Sequence, residues 1–81
     1  MNRDELQNLV ITNLCNIAPD IEATDLDAAQ DIRDQYDFDS MDQLNLFIAL
    51  HKATQIEIPE KDYPQLSSVN GIVDYLLKHS Q

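Results

Sequence analysis

An acidic hexapeptide, Asp37-Phe38-Asp39-Ser40-Met41-Asp42, runs directly into the apolar segment Gln43 to Leu50. Asp39 is suited to accept from the free amides of a first helical turn, and Asp42, three residues on, completes the pattern of a capping box. A helix is therefore expected from Ser40 to about Ala53. It is too apolar for an ordinary surface helix. Leu46, Phe47 and Leu50 fall on one side, while Met41, Leu44 and Ile48 form a second stripe at spacings of three and four. Neighbouring helices of a small bundle can cover most of both stripes. Ser40 then occupies the first helical position, beside backbone N–H groups with no partner inside the helix and at the positive end of its dipole, where an attached anion is favoured.

The rest of the composition agrees with helices. One glycine, three prolines and no tryptophan in 81 residues leave few turn signals for an all-β chain. That length suits one small domain, residues 1–81, near the size at which a single core is only marginally sufficient. Fifteen acids against five bases give a net charge of −10, which disfavours nucleic acid and anionic membrane surfaces and favours partners with basic patches. The lone Cys15 has no internal disulfide partner and, with no cationic neighbour to activate it, is read as a packing residue in a reducing compartment. No apolar run reaches the length of a membrane span and Met1-Asn2-Arg3-Asp4-Glu5 lacks a signal-peptide core, so a cytoplasmic location is expected.

Taken in order, Asn2 and Glu5 make a second capping pattern, opening a first helix of about three to four turns with Leu6, Leu9, Val10, Leu14 and Ile17 along one face and Pro19 ending it. Residues 20–39 form a long acidic connection whose only base is Arg33. A loop of that length in a compact domain needs pins, and Ile21, Leu26, Ile32, Tyr36 and Phe38 are the candidates. Thr24-x-x-Asp27 suggests a short helical turn beginning there. Asp25-x-Asp27 also opens like a calcium loop, but Gln30 and Tyr36 stand where such a loop needs glycine and glutamate. These acids are read as an electrostatic docking face rather than a metal site.

Beyond the central helix, Ile56 and Ile58 are expected to anchor a short link with Glu57 pointing outward. Glu60 to Gln65 is expected to make a single turn, because Pro64 removes a donor and disfavours α geometry at Tyr63. Ser67 or Ser68 caps a last helix running to about Lys78, with Val69, Ile72, Val73, Leu76 and Leu77 inward and Tyr75 on its flank. Gly71 inside it costs about 1 kcal/mol relative to alanine and suggests close approach of another helix. His51 has no second ligand or nucleophile at a helical spacing and is read as solvated.

Asp39-Ser40-Met41-Asp42 resembles the Asp-Ser-Leu signature of acyl carrier proteins, and Ile56-Glu57-Ile58-Pro59-Glu60, Leu66-Ser67-Ser68-Val69 and Ile72-Val73-Asp74-Tyr75-Leu76 follow at the family's spacing. The likeness covers about Asp31 to Leu77. It implies an all-α fold, a small antiparallel bundle of three main helices plus one short helical turn. It further implies that a phosphopantetheinyl transferase attaches 4′-phosphopantetheine to Ser40, whose thiol carries acyl groups as thioesters. The chain would then be a monomeric carrier and no enzyme: it lacks a serine-hydrolase elbow, a metal-ligand cluster and a glycine-rich phosphate loop.

By the same resemblance Asp37, Asp39, Met41, Asp42, Asn45 and Ile48 would face acyl-loading and acyl-transfer enzymes, with Leu44 mostly buried. The chain departs from the family in having Asn45, His51 and Lys52 where acids are usual along the helix, and Asp37 at a turn where glycine is usual. A dedicated set of enzymes in a specialised fatty-acid, lipid or polyketide pathway is the expected context. An aminoacyl or peptidyl carrier and an unmodified acidic interaction domain remain as alternatives.

Overall fold

A computed structural model describes residues 1–80. It has four α-helices and one 3₁₀ segment: α1 (Arg3–Ile17), α2 (Ile32–Gln35), α3 (Ser40–Thr54), the 3₁₀ segment (Glu60–Gln65) and α4 (Val69–His79). The three long helices form the expected small all-helical bundle, with α1 packed against both α3 and α4. Among the described residues there is no strand, only an isolated bridge between Asp31 and Ser68.

Local chemistry explains where the long helices begin. The Asn2 side chain accepts from the Glu5 amide at 2.9 Å while the Glu5 carboxylate accepts from the Asn2 amide at 3.0 Å, so α1 opens on a full capping box. Ser68, not Ser67, caps α4, its Oγ accepting from the Gly71 amide at 3.0 Å. Helix α3 ends at Gln55, which adopts a left-handed φ of 61° and sends its amide back to the His51 carbonyl. Its side chain also donates to the Lys52 carbonyl at 3.0 Å.

The core gathers Leu6, Val10 and Leu14 from α1, Leu46, Phe47 and Leu50 from α3, and Val69, Ile72, Val73 and Leu76 from α4. Each such aliphatic or aromatic side chain contributes about 1.5–3 kcal/mol by leaving water. Arg3 pairs with Asp74 across the α1–α4 contact. Cys15 is half-buried against the core.

The long connection is pinned as expected by buried Ile21, Ile32 and Phe38 and half-buried Leu26 and Tyr36. Its helical turn lies elsewhere than Thr24-x-x-Asp27. That stretch makes only turns, and the short helix is α2, capped by the Asp31 side chain, which accepts from the Arg33 amide at 2.9 Å. Ile32 decides this: burying it and donating its amide to the Ser67 carbonyl at 2.8 Å fixes the chain one turn before Tyr36.

Two further expectations give way to tertiary contacts. Glu60–Gln65 makes a six-residue 3₁₀ segment, about two turns at three residues per turn, rather than one. Tyr75 is buried, not flanking, because its hydroxyl reaches the Asp62 carboxylate at 2.7 Å and ties the 3₁₀ segment to α4. At Gly71 the expected close approach is made by the end of the 3₁₀ segment: a β-carbon there would lie 3.1 Å from the carbonyl of Gln65, its last residue, and 3.2 Å from Ser68 Oγ.

Candidate functional site

Ser40 is exposed at the first position of α3. Asp39 Oδ1 accepts from the Asp42 amide at 2.9 Å, and Asp42 Oδ2 accepts from the Asp39 amide at 3.3 Å. The two carboxylates nearest the serine therefore hold the helix start in register as well as contributing charge. Phe38, buried just before them, anchors the loop so that Ser40 emerges at a fixed point.

On one side of Ser40 lies a groove of about 640 Å³. Its apolar lining includes Met41, Leu44, Leu46, Phe47, Leu66 and Ile72, and its polar groups include Asp31, Arg33, Gln43, Glu60, Tyr63 and Ser67. The 3₁₀ segment makes one wall. It is held by the Tyr75–Asp62 hydrogen bond and by Tyr63 packing on Phe47 with ring centroids 4.6 Å apart and planes tilted by 50°. Asp37, Asp39 and Asp42 join Tyr36 around a shallower depression that shares Arg33 and Phe38 with the groove.

The candidate residues thus fall into two sets. Ser40 and Met41 share the groove, and Asp37, Asp39 and Asp42 share the acidic depression. Asn45 and Ile48 are exposed farther along α3 and line neither. Leu44 departs from expectation, being 39% exposed beside Met41 at 62% and Ile48 at 47%. The side of α3 bearing Leu46, Phe47 and Leu50 is spent on the core, and the four-residue α2 is too short to cover the opposite stripe. His51 is exposed, and its Nδ1 lies 3.0 Å from the Ile56 carbonyl, to which it can only donate. Among the described residues no group of three or more His, Cys, Asp or Glu is placed to hold a metal ion.

The groove's wall residues, Tyr63 and Pro64, and the pair Arg33 and Gln43 were not legible as site residues in sequence. Arg33 left one signal, as the sole base of the acidic connection.

A family model described as a phosphopantetheine attachment site matches residues 8–76, which include Ser40, the groove and most of the bundle. The chain belongs to the acyl carrier protein family. It is 31% identical over 61 residues to the acyl carrier protein of Clostridium acetobutylicum, covering 75% of this chain and 79% of that protein. It is 29% identical over 73 residues to the acyl carrier protein of Campylobacter fetus subsp. fetus, covering 90% and 88%. A 41-residue stretch is 42% identical to the acyl carrier protein of Syntrophobacter fumaroxidans, covering 51% of each. As a member of that family the chain is a carrier and not an enzyme, and its cofactor is 4′-phosphopantetheine. The site suits that group: an exposed hydroxyl at a rigid helix start, with an apolar groove within a turn of it.

Proposed function

We propose that Ser40 is the residue esterified by phosphopantetheine and that the chain carries acyl groups as thioesters and presents them to partner enzymes. The observation that supports this best is the exposure of Ser40 on the rim of a groove floored by Leu46, Phe47, Leu66 and Ile72. A separate transferase activates the serine: its oxygen attacks the phosphorus of coenzyme A that bears the pantetheine arm, the pyrophosphate P–O bond breaks so that adenosine 3′,5′-bisphosphate leaves, and the serine proton passes to that enzyme. The bound group supplies a terminal thiol on a long arm. This chain's residues supply attachment, a surface for docking, and shelter for an acyl chain.

Asp37, Asp39 and Asp42 steer enzymes with basic patches, and Met41, Leu44, Asn45 and Ile48 give the apolar and polar contacts that fix register. Charges of this kind are screened beyond about 8 Å at physiological salt, so docking is brief and the carrier passes between successive enzymes. The absence of acids at Asn45 and along the rest of α3 narrows this field to the helix start and points to a dedicated enzyme set in a specialised fatty-acid, lipid or polyketide pathway. Residues 1–81 act as one monomeric carrier domain in the cytoplasm. No described helix is long and apolar enough to cross a membrane. The apolar floor of the groove favours acyl over aminoacyl or peptidyl cargo.

Coexpression with a broad-specificity phosphopantetheinyl transferase, followed by intact mass measurement, tests the attachment. A mass gain equal to one phosphopantetheine, lost in Ser40→Ala, is expected. A gain that survives Ser40→Ala, or no gain at all, overturns it.

A further inference from the structure

Arg33 is the only basic side chain lining the groove beside Ser40. It stands in a stretch rich in carboxylates, with Asp31, Asp34, Asp37 and Asp39 close in sequence. Its guanidinium nevertheless pairs with none of them: among the described residues the one ion pair is that of Arg3 with Asp74. Arg33 instead donates through Nη2 to Oε1 of Gln43 at 3.1 Å, a charged donor spent on a neutral amide. Gln43 lies three residues beyond Ser40 on α3, and side chains so spaced are neighbours on one face, with β-carbons about 5–6 Å apart. The Arg33 fork is thus held over the same face of α3 as the serine hydroxyl. It is exposed, with donors to spare out of the five a guanidinium carries.

We infer that Arg33 is the chain's own anchor for the phosphodiester on Ser40, exchanging its amide partner Gln43 for the anionic oxygens of the ester. The inference rests on Ser40 being the attachment residue. A phosphodiester placed there adds a negative charge beside Asp39 and Asp42, and Arg33 is the one cation in the groove able to offset it. The planar fork of arginine suits a pair of phosphate oxygens better than an amide oxygen. Anchoring the root of the arm in this way fixes the direction in which the rest of it leaves α3. Arg33 is in this sense a positioning residue, with no part in the chemistry of transfer.

The test compares unmodified and fully loaded ¹⁵N-labelled chains, loading being verified by mass. Arg3 and Arg33 are the only arginines, so their side-chain Nε–H signals are easily separated, and Arg3, paired with Asp74, is an internal control. On loading, the Arg33 signal is expected to shift and its solvent exchange to slow about two- to fivefold, the occupancy of an exposed ion pair. The Arg3 signal should not move. Salt at about 1 M, which shortens the Debye length to about 3 Å, should erase the slowing. In the loaded Arg33→Gln chain the ³¹P resonance should shift from its position in the loaded parent. An Arg33 signal identical before and after verified loading, or a ³¹P resonance indifferent to Arg33→Gln, overturns the inference while leaving Ser40 as the attachment residue. Absence of any mass gain overturns the attachment and the anchor together.

Discussion

Two substitutions at Asp39 separate the two jobs that its carboxylate does. The side chain accepts from the Asp42 amide at 2.9 Å, a short bond at the start of a 15-residue helix. Replacing a cap of this kind by alanine costs about 1 kcal/mol. For a chain of this size that is a fall of about 4–8 °C in Tm. Asn caps as well as Asp, so Asp39→Asn keeps the bond and removes only the charge. Losing the favourable contact with the helix dipole costs about 0.3–1 kcal/mol, and relieving repulsion in a chain of net charge −10 offsets it. The expected order by thermal unfolding followed by circular dichroism is parent close to Asp39→Asn, with Asp39→Ala well below both. Asp42→Ala should fall less, because its return bond to the Asp39 amide is 3.3 Å long. In parallel, Asp39→Asn should slow transferase loading despite its intact fold, since it removes one of the three clustered steering charges. If Asp39→Asn unfolds as early as Asp39→Ala, the helix start is held by charge and not by the hydrogen bond, and the account of how Ser40 is positioned fails.

Leu46→Ala, at a fully buried position, should cost about 2–5 kcal/mol, whereas Leu44→Ala, at a position 39% exposed, should cost only about 1 kcal/mol; equal losses in urea melts would refute the assignment of the two faces. Burial, with the hydrogen bond to Asp62 and the charges of Asp62 and Glu57, pushes the Tyr75 hydroxyl up from 10.0 to about 12. Since the folded value is the higher, its stabilisation is complete below pH 10 and is lost as pH rises towards 12. Alkaline titration of stability should show a shallower decline over that window in Tyr75→Phe, and an unchanged slope would count against the contact. Gly71→Ala should fail to deliver the helix-propensity gain of about 1 kcal/mol, because the new carbon meets the Gln65 carbonyl at 3.1 Å; a clear rise in Tm would show that the carbonyl yields.

What the sequence disclosed and what it withheld divide along the range of the interactions. The starts of α1 and α3 were legible because Asn2 with Glu5, and Asp39 with Asp42, make their bonds within three residues. Ser40 stood out for the same reason. Leu44 and Tyr75 were misplaced because their burial depends on elements distant in sequence: α2 is too short to cover the one, and Asp62 draws in the other. Thr24-x-x-Asp27 looked helical by local pattern, but the Ile32 amide had a partner at Ser67 that no local pattern shows. The groove followed the same rule, since α2, α3, the 3₁₀ segment and α4 each contribute only part of its lining.

The connection leading to Ser40 takes two of its backbone bonds from far downstream: the Ile32 amide donates to the Ser67 carbonyl at 2.8 Å, and the Asn70 amide donates to the Ala28 carbonyl at 2.9 Å. During translation these partners leave the ribosome well after the serine does. The surface proposed for the modifying enzyme is therefore finished late, and a nascent chain halted short of Ser67 offers the Ser40 hydroxyl without its surroundings.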